Sequence, residues 1–138
     1  MIKHKGQSVV EFALVLPLFL FIMFGVIYTG MLFHDYATLS NIARTSAREA
    51  AVTAKDEYGA IATHYEGQLN ELLTNFYKKA DSNPIVIVPV DHGSDSEGVQ
   101  STINMQLNDG GYFLDMIFPS TIKVRYYMKK EPYTSSST

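Results

Sequence analysis

The stretch FALVLPLFLFIMFGVIYTGMLF, residues 12–33, decides how the chain is organised. It contains no Asp, Glu, Lys or Arg. About 20 consecutive apolar residues suffice to cross the hydrocarbon core of a bilayer. A buried helix of a soluble protein is seldom apolar on every face for so long. The stretch therefore predicts one membrane-spanning helix in a chain of 138 residues.

Positive charge is concentrated on one side of this stretch. Lys3, His4 and Lys5 precede it, whereas the first charged residue after it is Asp35 and the next is Arg44. Cytoplasmic flanks of membrane helices carry an excess of Lys and Arg. We therefore expect a single-pass protein of the cytoplasmic (inner) membrane, with its N-terminus in the cytoplasm and its C-terminal part outside.

A cleaved secretory signal is the alternative interpretation of a basic cluster followed by an apolar run. Three features oppose it. The run is long for the apolar part of a signal peptide, Glu11 and Pro17 lie near its start, and no small-x-small cleavage site follows, because Tyr28 places a bulky ring before Gly30. Removal of the whole segment is not expected.

Composition excludes several kinds of site. The chain has no cysteine, which excludes disulfide bonds, thiolate catalysis and Cys-ligated metal sites. Residues 1–6 contribute two lysines, and residues 7–138 carry nine basic and fourteen acidic side chains, a net charge of −5. Phosphate binding needs clustered Lys and Arg, so this acidic balance argues against nucleic acid as a partner.

The most specific motif lies between the basic cluster and the apolar run. The segment Gly6-Gln7-Ser8-Val9-Val10-Glu11-Phe12 has the form G-x-x-x-x-E-[YF]. It resembles the cleavage site of prepilins and pseudopilins, where a membrane aspartic peptidase cuts after the glycine on the cytoplasmic side. Glycine suits such a cut, because its unbranched backbone can lie extended in a narrow cleft.

The wider N-terminal stretch is similar to TadE-like proteins of tight-adherence (Tad) pilus systems. Those proteins typically begin G-Q-S-x-V-E-F-A-L-V-L-P-L and continue, after the membrane helix, with an Asn-x-Ala-Arg-x-x-Ala-Arg segment, which stands here at residues 41–48. The resemblance is strong over residues 5–51. It is weaker at Ile122–Glu131, where Met128 and Glu131 match the closing strand of the family.

The resemblance implies a function and a set of partners. It implies a minor pilin or pseudopilin of a Tad-type pilus, a type IV pilus or fimbrium, that is cut between Gly6 and Gln7 and contributes to assembly and surface adhesion. The implied partners are the prepilin peptidase, other pilin or pseudopilin subunits, the inner-membrane assembly platform and membrane lipids. The alternative is a non-assembling, single-pass accessory protein whose ectodomain binds a secretion or cell-wall component.

The resemblance also assigns Glu11 and Phe12 to assembly and register. In pilin-like assemblies the glutamate pairs with the N-terminal amine of a neighbouring subunit. An unpaired carboxylate costs about 2.5 kcal/mol or more at the membrane centre and less near the interface. The pair therefore acts as a register device. Alternatively, Glu11 lies at headgroup level and only favours the helix N-terminus through the dipole.

Pro17 lies inside the apolar run. It removes one helical hydrogen bond and crowds the preceding turn, so we expect a kink or a loosened turn there. Such flexibility can help the helix leave the bilayer and enter a bundle. Alternatively, Pro17 only shapes the membrane helix, which tolerates proline readily.

Beyond the bilayer the helical pattern continues into the ectodomain. Apolar residues recur at spacings near 3.6, while Arg44, Arg48 and Glu49 are available to face water; the stripe is Leu39, Ile42, Ala43, Ala47, Ala50, Ala51 and Ala54. A break near Phe33–Tyr36 is the alternative. The predicted units are a leader at 1–6, a transmembrane assembly helix at 7–33, its continuation at 34–54, an ectodomain at 55–133 and a disordered tail at 134–138.

The predicted fold class is α+β, pilin-like, with a second helix and a short antiparallel sheet. The second helix is expected from Asp56 to Lys79, with an apolar face of Tyr65, Leu69, Leu72, Leu73 and Phe76. Strands are expected at 85–90, where Pro89 indicates an edge or bulge, at 102–107 and at 122–128. A turn is expected at 108–111.

No catalytic residue, metal site or cofactor is predicted. The four histidines have no metal-ligand spacing, and the acidic segment 91–97 fails the calcium-loop pattern, so a solvated loop is the better interpretation. No nucleophile elbow, phosphate loop or paired-carboxylate arrangement is recognisable. We therefore do not expect an enzyme.

Overall fold

The computed structural model describes residues 3–74, 76–79, 83–91, 97–108, 116 and 118–130, with side chains from residue 6 onwards. The chain divides into two compact units, Met1–Phe33 and His34–Thr138. Each unit has its own kind of surface, and each is described by itself below. The predicted tail at 134–138 and most of the acidic loop, residues 92–96, lie outside the described residues.

The first helix, α1, spans Lys3–Val52. It begins four residues before the expected start at Gln7 and has no interruption near Phe33–Tyr36, the alternative that the sequence left open. An 18-residue window of it is long and apolar enough to cross a membrane, and none of that window is buried. Side chains that are apolar on all faces and uncovered need a lipid or another apolar surface around them.

In the second unit, one stripe of α1 is buried, as predicted. Leu39, Ala43, Ala47 and Ala50 have no exposed surface, and the other buried members of the predicted stripe are Ile42 and Ala51. The prediction that Ala54 belongs to this stripe is wrong. The helix has ended at Val52, and Ala54 is extended and exposed.

The second helix is shorter than predicted. A 3-10 turn at Lys55–Glu57 leads into α2, Tyr58–Leu72. Leu73 is already extended, with φ −83° and ψ 150°, so the predicted continuation to Lys79 is wrong. The helix stops here because the next backbone N–H, that of Thr74, donates to the Asp35 carboxylate instead of to a helical carbonyl.

Four antiparallel strands form one sheet. They are β1, Tyr77–Lys79; β2, Ile85–Asp91; β3, Glu97–Leu107; and β4, Thr121–Lys129. Strand β3 is central. It pairs along one edge with β4, and along the other with β2 through residues 97–103 and with β1 through residues 105–107.

The predicted strands are confirmed, with two corrections. Strands β2 and β4 lie where expected. Pro89 lies on β2, which pairs only with β3 and is therefore an edge strand. Strand β3 begins at Glu97 rather than Thr102, since pairing on both sides outweighs the weak strand preference of its Gly, Gln and Ser residues. Strand β1 was predicted as helix. Of the predicted turn at 108–111, residues 109–111 lie outside the described residues.

The sheet has a helix-covered face and an outer face. Val99, Ser101, Ile103 and Met105 of β3 are buried on the first, where Val99 packs with Ala50 of α1 and with Tyr58 and Ile61 of α2. Because strand residues alternate, the intervening residues lie on the opposite side. We call this side the outer face; on β2, β3 and β4 it carries Val86, Val88, Val90, Gly98, Gln100, Thr102, Asn104, Gln106, Thr121, Lys123, Arg125, Tyr127 and Lys129, and on β1 Lys78.

Two tyrosines of α2 differ in how their hydroxyl groups are satisfied. The Tyr58 hydroxyl is buried with no hydrogen-bond partner among the described residues. The Tyr65 hydroxyl donates to Glu49 Oε2 at 2.8 Å. Burial raises the pKa of both phenols; the charge of Glu97 adds to the effect at Tyr58, and the hydrogen bond to Glu49 adds to it at Tyr65.

We expect Tyr58→Phe to increase the free energy of unfolding by about 1 kcal/mol, because it removes a buried hydroxyl that has no partner. Tyr65→Phe, the matched control, should decrease it by about 0.5–1 kcal/mol, because it removes a made hydrogen bond. Chemical denaturation of the full chain in detergent micelles measures both. Equal destabilisation by the two substitutions would contradict the assignment.

Candidate processing and assembly site

The candidate cleavage site lies in the first turns of α1. Gly6 and Gln7 are helical and exposed. A Cβ atom added at Gly6 would meet no atom within 4 Å, so packing within the chain gives no reason for glycine at this position. In a helix interior, glycine is less favourable than alanine by about 1 kcal/mol. Its presence here therefore makes local unwinding of α1 easier.

Gln7 and Glu11 face each other one helical turn apart. The Gln7 amide nitrogen, Nε2, donates to Glu11 Oε1 at 3.2 Å. Residues four apart lie on the same side of a helix, and such an exposed contact contributes only some tenths of a kcal/mol. The structure therefore brings two of the predicted site residues, Gln7 and Glu11, into contact across one helical turn. The carboxylate remains exposed and open to a stronger partner.

Phe12 and Pro17 lie further along the same helix. Phe12 is 66% exposed and makes no part of the Gln7–Glu11 contact. Pro17 lies inside α1, and the helix continues on both sides of it. The predicted flexibility at Pro17 stays a prediction. The Thr29 hydroxyl in the apolar stretch is satisfied locally, since it donates to the Gly25 carbonyl at 2.7 Å.

Part of α1 is similar to a known protein family. Residues 6–48 match the family model described as TadE-like protein. We call these residues the TadE-like segment, after the family model that they match. The resemblance expected from the sequence is thereby confirmed over these residues, and it suggests a protein associated with a Tad pilus. Comparison with curated proteins gave no significant match, and neither did comparison with solved structures.

The TadE-like segment includes a buried carboxylate just beyond the apolar run. Asp35 has no exposed surface. Its Oδ1 accepts from the Thr74 backbone N–H at 3.0 Å, and its Oδ2 accepts from the Thr74 hydroxyl at 2.8 Å. His34 Nδ1 lies 3.3 Å from Oδ1. Burial, with the Asp35 charge as a second cause, raises the pKa of Tyr77. Asp35 thus links α1 to the segment that joins α2 to β1.

A second polar contact joins the TadE-like segment to the sheet. The hydroxyl oxygens of Ser46 and Ser101 lie 2.8 Å apart, and both residues are fully buried. Ser46 also donates to the Ala43 carbonyl at 3.2 Å. Side chains this small let a helix approach a strand closely, and the paired hydroxyls leave neither oxygen without a partner.

Asp35, Ser46 and Thr74 were not predicted as important residues. The signal for the first two was periodicity, because residues 35, 39, 42, 46 and 50 recur at helical spacing and all are buried. A search restricted to apolar residues passes over them. Thr74 has no local signal, because its partner lies 39 residues earlier in the chain.

The described residues contain no group of three or more His, Asp or Glu side chains that could hold a metal ion. Two open cavities lie in the second unit. One, of about 520 Å³, is lined by residues 52–55, Glu57 and Lys130, and the other, of about 320 Å³, lies between α2 and β1.

We expect Asp35→Ala to decrease the free energy of unfolding by about 2–3 kcal/mol, because it leaves two donors of Thr74 without an acceptor in a buried site. The matched control is Glu66→Ala, which removes a carboxylate 2.7 Å from Lys79 Nζ in a partly exposed pair. That loss should be below about 1 kcal/mol. Thermal or chemical unfolding measures both, and an equal effect would refute the special role of Asp35.

Proposed function

We propose that this protein is a minor pilin or pseudopilin of a Tad-type pilus. In this proposal a prepilin peptidase cuts it between Gly6 and Gln7, and the processed helix then enters an assembly of pilin-like subunits that mediates surface adhesion. The single observation that carries the proposal is the TadE-like match, which begins at the glycine of the cleavage motif. A helix with an uncovered apolar surface supports it.

Processing acts on the N-terminal turns of α1. The peptidase needs an extended backbone at Gly6, and unwinding there breaks only terminal helical hydrogen bonds, since nothing packs against that glycine. Cutting leaves Gln7 with a new ammonium group. The same amide that now contacts Glu11 therefore belongs to the residue that becomes the N-terminus.

Glu11 is the register element of the proposal. Its contact with Gln7 is a hydrogen bond of 3.2 Å from an uncharged amide to the carboxylate, exposed on the helix surface. The ammonium group of a neighbouring subunit offers a stronger bond, because both of its partners then carry a charge. Exchange of partners therefore favours assembly at the one height where the two charges meet. Phe12, exposed beside Glu11, is available to the same neighbour.

The apolar part of α1 has the surface that both a bilayer and a helix bundle require. Gly25 and Gly30 are open, with no atom within 4 Å of an added Cβ, so another helix can approach closely there. Before assembly we place the protein in the inner membrane, with residues 7–33 spanning it, 34–54 continuing the helix and 55–133 forming the ectodomain outside. Its partners are the peptidase, other subunits and the assembly platform.

The cleavage proposal predicts a mature chain that begins at Gln7. Mass spectrometry of the membrane fraction, with and without the peptidase, measures the N-terminus. Gly6→Val should abolish the cut. A β-branched side chain makes the backbone stiffer at this residue and adds bulk that does not fit a narrow peptidase cleft. Gly25→Val is the matched control and should be cut normally. Intact Met1 in mature, functioning protein would instead favour a non-assembling accessory protein.

The register proposal predicts that Glu11→Gln is cut normally but enters pili at least tenfold less, because it keeps the shape of the side chain and removes its charge. The matched control is Gln7→Ala, which removes the present partner of Glu11 but leaves a free amine after cutting. That variant should assemble nearly as well as the natural chain. Subunit content of purified pili, measured by quantitative mass spectrometry, separates the two. Normal incorporation of Glu11→Gln would contradict the pairing role.

A further inference from the structure

The outer face of the sheet carries a charge opposite to that of the domain. Its described residues include four cations, Lys78, Lys123, Arg125 and Lys129, and no Asp or Glu. These are four of the nine basic residues that follow the leader, in a segment whose net charge is −5. Like charges on one face repel each other, so such clustering needs a compensating partner or a reason in function.

Three of these cations form a row on β4. Lys123, Arg125 and Lys129 are exposed, and no described carboxylate lies within ion-pair distance of them. Alternate residues of a strand stand about 7 Å apart, so the row extends about 20 Å along the edge strand. A straight row of fixed charges fits an extended anionic chain better than a single small anion.

An aromatic ring interrupts the row. Tyr127 stands between Arg125 and Lys129, is 40% exposed, and lies over Gly98 so closely that a Cβ there would come within 2.3 Å of its ring. The absence of a side chain at Gly98 therefore leaves room for the hydroxyl end of the ring. A partly exposed phenol offers an apolar surface together with a polar hydroxyl.

The centre of the outer face is polar rather than apolar. Strand β3 presents Gln100, Thr102, Asn104 and Gln106 there, with the Gln100 amide donating to the Thr102 hydroxyl at 3.2 Å. Protein interfaces have the reverse arrangement, an apolar centre within a polar rim. Surfaces that insert into bilayers present Trp, Phe or Leu, and the described outer face has none of these. Amides and hydroxyls instead match a partner rich in hydroxyl groups.

We propose that the outer face binds an acidic polysaccharide, a chain of sugars that carries carboxylates. Its carboxylates would pair with the β4 cations, where the guanidinium of Arg125 can bind one of them through two hydrogen bonds. A sugar ring packs its C–H face on Tyr127, and its hydroxyls reach the amides of β3. The proposal concerns the ectodomain alone and stands or falls independently of processing after Gly6.

The test uses the full chain in phosphatidylcholine nanodiscs, with polygalacturonate as the probe and dextran as the uncharged polymer. Isothermal titration calorimetry should detect binding of polygalacturonate and not of dextran, weakening as salt is raised. The double variant Lys123→Gln/Arg125→Gln should bind about tenfold more weakly, as expected for two exposed charge pairs. Circular dichroism checks that it is folded.

The matched control is Arg48→Gln/Lys55→Gln, which removes one Arg and one Lys from exposed positions on the helical side. It should change the dissociation constant less than twofold. Equal weakening by both double variants would overturn the proposal, because only net charge would then matter. Equal binding of dextran overturns it too, as does binding only to phosphatidylglycerol vesicles or only to duplex DNA. Failure of these tests leaves cutting after Gly6 unaffected, so the two proposals are distinguishable.

Discussion

Close packing of the α1 helix on strand β3 is the constraint on which the second unit depends. The contact is made by small side chains. The hydroxyl oxygens of Ser46 and Ser101 lie 2.8 Å apart, and Ala50 packs beside Val99. Dispersion forces fall steeply with distance, so small residues gain many atom contacts only if the two backbones come close. Any larger residue in this stripe would push the helix away from the sheet and weaken the contacts of its neighbours as well. The same closeness explains why both hydroxyls must be paired, because water has no access to them.

The same physics determines how much of the structure could be predicted from the sequence. Residues 12–33 and the stripe from Leu39 to Ala51 are local patterns, and both were predicted correctly as helix, because a helix buries or exposes its residues according to spacing alone. The end of α2 was predicted wrongly. Phe76 continues the helical apolar pattern, yet Tyr77–Lys79 pairs with the far end of β3, and the Asp35 carboxylate takes the Thr74 N–H. Both causes are long-range, so no local window contains them.

For the candidate site, the sequence supplied the motif but not the contacts. Gly6, Gln7, Glu11 and Phe12 were identified by resemblance, and the structure adds that Gln7 donates to Glu11 and that nothing packs on Gly6. The outer face could not be predicted, because its residues come from four strands whose register had to be known first. A one-residue slip of β4 would turn Lys123 and Arg125 towards the helices and Val124 outwards. The burial of Ile122 and Val124 fixes the register, and the basic row is a consequence of that burial.

The family match and the outer face lie in different parts of the chain, and this separation has a physical consequence. The TadE-like residues 6–48 fall entirely within α1, whereas the sheet lies beyond them. In the assembly that we propose, the helix meets other apolar helices in one register, so its sequence is constrained along its whole apolar length. The outer face has no such constraint, because surface strands keep their pairing whatever polar residues they carry. In the binding that we propose for the outer face, the net charge of −4 carried by residues 34–138 acts as a filter: it repels polyanions at a distance, and only a chain that fits the β4 row and the β3 amides gains enough local contact to overcome that repulsion.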